Sequence, residues 1–352
     1  MKVIILATLP VLAVLAAPAP AANPLEITGP SGADMAVISS IEPDHVDKGG
    51  VTLGPVVPTE QDIRTPPEGV IDDKEAELAF PINSTLDDAE GVLTRRTDAP
   101  YGIKKGLAYN NGGITNVLSK AGSATWAYNW GAAMNAPKFQ QIPMCWGVGS
   151  GCDAAGINKK IDKGDTPWVL GYNEPDETNA NGGSNRTPRQ AADNWGKDMF
   201  RFQTRGPKLV CPAISSWNTD KGHTGGPAGL QWLKQFVSAA SKPSYYRCGA
   251  QALHWYGAQG ESAARQAQLF IDYIAYAHVE VDKMYGTTMP IWVTEFSPLP
   301  IGNVQMMADF LKIVIPWMNK QGWIHRYSPF MAEHLVTNGK LNNAGNVFVD
   351  TK

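Results

Sequence analysis

From Tyr101 onward, short apolar runs alternate with longer amphipathic ones. Eight of the short runs read as strands: 105–110 (KGLAYN), 124–130 (ATWAYNW), 141–146 (QIPMCW), 168–173 (WVLGYN), 208–214 (KLVCPAI), 252–256 (ALHWY), 291–296 (IWVTEF) and 324–327 (IHRY). Between several of them lie stretches of helical length and spacing, among them 189–204, 229–240, 263–285 and 304–319. Pro188, Pro227 and Gly286 stand near their ends as start and stop signals. Pro316 lies inside the last of these stretches and is expected to kink it. Strands alternating with helices argue for an α/β fold with a parallel sheet, and eight units in about 250 residues suit a (β/α)8 TIM barrel. An open doubly wound sheet would place a phosphate-binding G-x-G-x-x-G after its first strand. The glycine-rich run at 147–151 (GVGSG) has the wrong spacing.

The first hundred residues follow no such pattern. Residues 1–22 carry Lys2, an apolar stretch and then small residues, which is the layout of a secretory signal peptide. Residues 23–96 hold 15 acids against 5 bases and no aromatic ring before Phe80. Such a segment cannot bury enough apolar surface to fold alone. It reads as a disordered acidic propeptide or linker, and the pair Arg95-Arg96 marks a cleavage point at its end. All 11 tryptophans lie at Trp126 or later, so 97–352 is the expected catalytic domain.

The 352-residue chain has a net charge of -3 and is 43% hydrophobic, which gives no bias toward nucleic acid. No run after the leader is long and apolar enough to span a bilayer. A secreted protein acting as a monomer, outside the cell or in a cell wall, is expected. Secretion permits disulfides among Cys145, Cys152, Cys211 and Cys248, for which three pairings exist; the pairing of sequence neighbours is preferred. Asn83 and Asn185 stand in N-glycosylation sequons, the second followed by Pro188.

The candidate chemistry sits where strands end. Gly171-Tyr172-Asn173-Glu174-Pro175-Asp176 follows the apolar run 168–170, so the fourth strand stops and presents Asn173 and Glu174. Glu295 ends the seventh strand, nearly opposite in an eight-stranded ring. Active sites of such barrels form at the C-terminal strand ends. Two carboxylates facing across the mouth can act as acid/base and nucleophile on a glycosidic bond. The six histidines show no metal-ligand spacing, so neither a catalytic metal nor a cofactor is expected, and the absence of G-x-S-x-G weakens an esterase reading. Trp130, Trp146, Trp217 and Trp255 fall at or just past strand ends. They are candidate platforms for sugar rings, with packing in the barrel mouth or behind the sheet as the alternative. Trp126, Trp168 and Trp292 lie early in strands and belong to the core.

Asn-Glu after the fourth strand and Glu after the seventh resemble the large clan of retaining (β/α)8 glycoside hydrolases. Leu170 to Asp176, His254-Trp255-Tyr256-Gly257 and Trp292 to Phe296 together resemble glycoside hydrolase family 128, and Gly106 to Asn110 is similar too. That family includes fungal cell-wall proteins of the alkali-sensitive-linkage type and β-1,3-glucanases. The resemblance covers about 101–352. It implies Glu174 as acid/base, Glu295 as nucleophile, Asn173 as a partner of the sugar 2-hydroxyl, and Tyr256 or His254 as the group orienting Glu295. The last strand ends Arg326-Tyr327-Ser328-Pro329-Phe330, a departure from the expected Tyr-Ala-Trp-Phe. The expected substrate is β-1,3-glucan, cleaved internally. The rival readings are another β-glycan hydrolase, of cellulase or mannanase type, and a wall-associated glucan-binding protein without turnover.

Overall fold

The computed structural model describes residues 104–119, 124–164, 166–240 and 248–352. The leader, the acidic region and the Asn83 sequon lie outside the described residues.

Strands β1 (Gly106–Ala108), β2 (Trp126–Tyr128) and β3 (Gln140–Gln141) pair in parallel. A second parallel sheet holds β4 (Trp168–Leu170), β5 (Lys208–Ile214), β6 (Ala250–Tyr256), β7 (Ile291–Ser297) and β8 (Ile324–Tyr327), in that spatial order. Parallel bridges Met144↔Leu170 and Lys105↔Tyr327 join the two sheets. The result is an α/β fold with a curled parallel sheet, consistent with a TIM-like barrel.

Helices α1 (Gly112–Leu118), α2 (Ala154–Asp162), α3 (188–203), α4 (Leu230–Ala240), α5 (Ala263–Tyr285), α6 (Val304–Lys320) and α7 (Asn343–Asp350) follow β1, β3, β4, β5, β6, β7 and β8. Among the described residues no helix follows β2, so the eightfold repeat is incomplete there. Residues 129–139 form bends and turns, because Gly131, Asn135 and Pro137 are poor helix formers. The strand expected at 141–146 also shrinks. Pro143 has no N–H to pair, although its carbonyl still accepts from Leu170 N at 2.9 Å.

Local signals act where the sequence places them. Thr187 and Gln190 make a reciprocal capping box, with Pro188 in the first turn of α3. That helix loosens into a π turn over Gly196–Phe200. Ser262 caps α5, and Gly286 ends it in the left-handed conformation at φ 68°. Pro316 lies within α6 without ending it. Lys104 donates to the carbonyls of Met318, Asn319 and Gln321 at the end of α6. Lys105 does the same at the end of α7 through Phe348 and Thr351. Helix carbonyls run short of backbone donors at this end, and the helix dipole favours a cation there.

Side chains alternate across the sheet, so there are two cores. The inner one contains Trp126, Trp168 and Trp292, with the Trp292 ring 5.4 Å from Trp126 and 5.0 Å from Trp168. The Arg326 guanidinium lies 4.7 Å from the Trp292 ring centre and donates to Gln140. All three tryptophans expected in the core are there. The outer core lies between sheet and helices. Helix α5 contributes Ala267, Phe270, Ile274, Ala277 and Val281, at helical spacing. Disulfides join Cys145 to Cys152 and Cys211 to Cys248, the pairing of sequence neighbours.

Candidate active site

Strand β4 ends in an irregular backbone for steric reasons. A Cβ on Gly171 would stand 2.8 Å from the Trp195 ring and 2.7 Å from Val210 O, so glycine lets α3 pack against the strand. Three residues beyond, Glu174 takes a left-handed conformation at φ 36°. For a residue with a side chain this costs about 1–2 kcal/mol, and the surrounding loop must hold it. It does so through Ser184 N to Asn173 O, Asn173 Nδ2 to Gly182 O and Glu177 N to Glu174 O. Asp176 is fully buried and clamps the loop to the end of β5. It accepts from Ser215 N at 3.1 Å, Ser215 Oγ at 2.7 Å and Gly229 N at 2.7 Å.

Strand β7 carries its own irregularity. Leu253 pairs with Val293 but His254 pairs with Glu295, so one extra residue enters at Thr294. Such a bulge inverts the alternation. Val293 and Phe296 face the helices, and Glu295 turns inward beside Thr294.

The inward side chains form one connected cluster. His254, fully buried, places Nδ1 2.9 Å from Glu174 Oε1 and 3.6 Å from Glu295 Oε2, and Nε2 2.9 Å from Thr294 Oγ1. Tyr256 donates its hydroxyl to Glu295 Oε2 at 2.5 Å, and Trp130 donates Nε1–H to Glu295 Oε1 at 2.7 Å. One oxygen of each carboxylate and a ring nitrogen of His254 lie within 4.8 Å of one another. Tyr128 donates to Thr294 O beneath the cluster.

The environments of the two acids differ. Burial pushes the Glu174 carboxyl up to about 7, against the pull of His254. His254 itself is raised: burial works against its charge, but the carboxylates of Glu295 and Glu174 outweigh it. Glu174 therefore keeps its proton up to about neutrality, while Glu295 accepts two short hydrogen bonds, from Tyr256 and Trp130. The same acids and imidazole form a donor set that a cation could use. In the structure Trp130 and Tyr256 each donate to one of the Glu295 oxygens.

The other candidates divide by position. Asn173 is buried, and its Oδ1 has no partner among the described residues. Trp146 is half-buried against the inner core. Trp217 is half-buried past β5, its ring 5.4 Å from His223. Trp130 lies at the mouth, at φ 59°, as a hydrogen-bond donor to Glu295. Trp255 is not in the mouth. It stacks on Phe310 at 5.6 Å and meets Phe270 at 5.3 Å in the helix layer, which corrects its reading as a sugar platform. The reason is alternation: His254 and Tyr256 face inward, so Trp255 faces out. Phe330, past β8, lies 5.8 Å from Trp130 and 5.5 Å from Tyr256 and supplies the aromatic at that strand end. Sequence reasoning passed over Phe330, Tyr128 and Thr294. Only Phe330, beside an expected aromatic position, left a signal.

The chain was compared with known proteins. The family model described as glycosyl hydrolase catalytic core matches residues 106–350. Among solved structures the chain is similar to a curdlan-specific exo-β-1,3-glucanase of glycoside hydrolase family 128, subgroup III, from Blastomyces gilchristii, in complex with glucose. Identity is 28%, over 71% of this chain and 99% of that one, with a TM-score of 0.60. It is also similar to a subgroup II endo-β-1,3-glucanase from Sorangium cellulosum, at 27% identity, 71% and 98% coverage and TM-score 0.55. A subgroup I endo-β-1,3-glucanase from Amycolatopsis mediterranei, in complex with laminaritriose, gives 26%, 70% and 98%, and 0.56. No curated protein matches the chain.

Proposed function

The chain belongs to the glycosyl hydrolase catalytic core family, and from that premise we propose that it is a secreted, retaining, endo-acting hydrolase of β-1,3-glucan. That it is a glycosidase of the family 128 kind rests on the family model and the solved neighbours together. The observation that carries the mechanism is the pair Glu174 and Glu295, with one oxygen of each within 4.8 Å of the other's. Retaining enzymes hold their two carboxyl groups ~5–5.5 Å apart, whereas inverting enzymes need ~6.5–9.5 Å for an intervening water.

In this reading Glu174, protonated, donates to the leaving oxygen. Glu295, ionised, attacks the sugar carbon to form a glycosyl ester. Glu174, now anionic, then takes a proton from the water that releases the sugar. Tyr256 and Trp130 fix the plane of the Glu295 carboxylate, and the Asn173 amide serves the 2-hydroxyl. Phe330, Trp146 and Trp217 offer apolar faces to the sugar rings. The eight linked strands act as one (β/α)8 barrel, less one helix, working as a monomer.

Proton magnetic resonance of the first product anomer tests the mechanism: β product appears first for retention, and initial α product contradicts it. Mode of attack has a second reading, because the Blastomyces gilchristii neighbour is an exo-enzyme. Long and mixed oligosaccharides early in digestion support internal cleavage, and glucose alone supports the exo reading. A glucan-binding protein without turnover would not need the matched Glu174–His254–Glu295 cluster.

A further inference from the structure

A second polar cluster lies beyond Glu174 and takes no part in the steps above. Glu177 is three residues along the same loop, with its side chain 5% exposed. Its Oε2 lies 2.8 Å from His223 Nδ1 and 3.1 Å from Asn181 Nδ2. Its Oε1 is buried with no hydrogen-bond partner among the described residues. Ser184 Oγ, on the returning arm of the loop, is likewise buried and unpartnered. A buried carboxylate oxygen and a buried hydroxyl left without partners are costly, so they call for a partner that the described residues do not supply.

The surroundings suit a sugar. Trp217 packs its ring edge-to-face with His223. Its hairpin is pinned from both sides: Asn218 pairs with Gly229, and Gly229 N donates to Asp176 Oδ2. Gly229 has φ 60°, and a Cβ there would fall 1.1 Å from Trp217 O, so only glycine closes this turn. Asp176 thus ties Trp217 to the loop that carries both Glu174 and Glu177. The acid that protonates the leaving oxygen stands on the leaving half of the substrate.

We propose that Glu177, Ser184, His223 and Trp217 form a subsite for a glucosyl unit on the leaving-group side, with Glu177 Oε1 and Ser184 Oγ accepting sugar hydroxyls. This rests on the glucanase reading above. A hydrogen bond to a charged group contributes roughly 1.5–3 kcal/mol, about tenfold to a hundredfold in kcat/KM. The test compares laminarihexaose, which fills leaving-group subsites, with 4-nitrophenyl β-laminaribioside, whose leaving group is not a sugar. Glu177→Gln should lower the ratio of the two kcat/KM values about tenfold or more. Trp217→Ala, at a partly exposed position, should lower the same ratio, so the proposal does not depend on one buried variant folding. Wild-type activity on both substrates with the ratio unchanged in both variants overturns the subsite alone. A wild type that cleaves neither substrate overturns the glucanase reading, and the subsite with it.

Discussion

Replacing His254 by Phe should move the alkaline limb of glycan cleavage to higher pH. The sign comes from the contacts of Glu174. Burial holds its carboxyl at about 7, while His254, 2.9 Å away, pulls it down through charge and a hydrogen bond. Removing that pull disfavours the anion and raises the value. A hydrogen bond to a charged group is worth roughly 1.5–3 kcal/mol and one pH unit is about 1.36 kcal/mol, so the limb should rise by roughly 1–2 units. In the wild type only the protonated acid donates, so kcat/KM on β-1,3-gluco-oligosaccharides should fall about tenfold per unit above pH 7. An aryl glycoside with a good leaving group needs no proton and should lack this limb. The assay is a pH profile of kcat/KM for both substrates and both proteins. His254→Phe will lower the absolute rate, but the reading is the position of the limb. A limb that stays near 7, or moves down, refutes the assignment of Glu174 and its coupling to His254.

Glu174→Gln should stabilise the fold above pH 7. The folded carboxyl holds its proton between 4.5 and about 7, where the unfolded chain releases it, so wild-type stability falls as pH rises through that window. Glutamine lacks this loss, worth roughly 3 kcal/mol, so its gain in Tm over wild type should be larger at pH 8 than at pH 5; an equal gain at both contradicts the buried acid. Trp292→Ala, at the centre of the inner core, should cost about 3–5 kcal/mol in denaturant unfolding, and a loss below 1 kcal/mol would contradict the packing described. A chain starting at Thr97 should fold and match the full chain on β-1,3-glucan; failure to fold would make the acidic segment part of the folding unit.

Much of this architecture could be read from pattern. The run 263–285 is α5 residue for residue, because Ser262 and Gly286 fix its ends and its apolar face repeats without interruption. Both glutamates were placed at strand ends by the polar residues that stop apolar runs, and the structure brings them together. Three features left no trace of that kind. The bulge at Thr294 re-aims Glu295 through pairing with β6, which is a property of two strands rather than one. The left-handed backbone of Glu174 is imposed by a loop that folds back on it. The hydrogen bond from Trp130 to Glu295 spans 165 positions, so no local pattern shows that this platform candidate also contacts the strand-seven carboxylate. Trp255 is different, since strict alternation between His254 and Tyr256 already excluded it from the mouth.

The most direct measurement is oligosaccharide release from laminarin by the wild type and Glu295→Ala side by side. The account predicts products from the wild type and none from the variant, which loses the attacking oxygen while keeping Glu174 and His254. Equal release by both proteins, or none by the wild type, would contradict it.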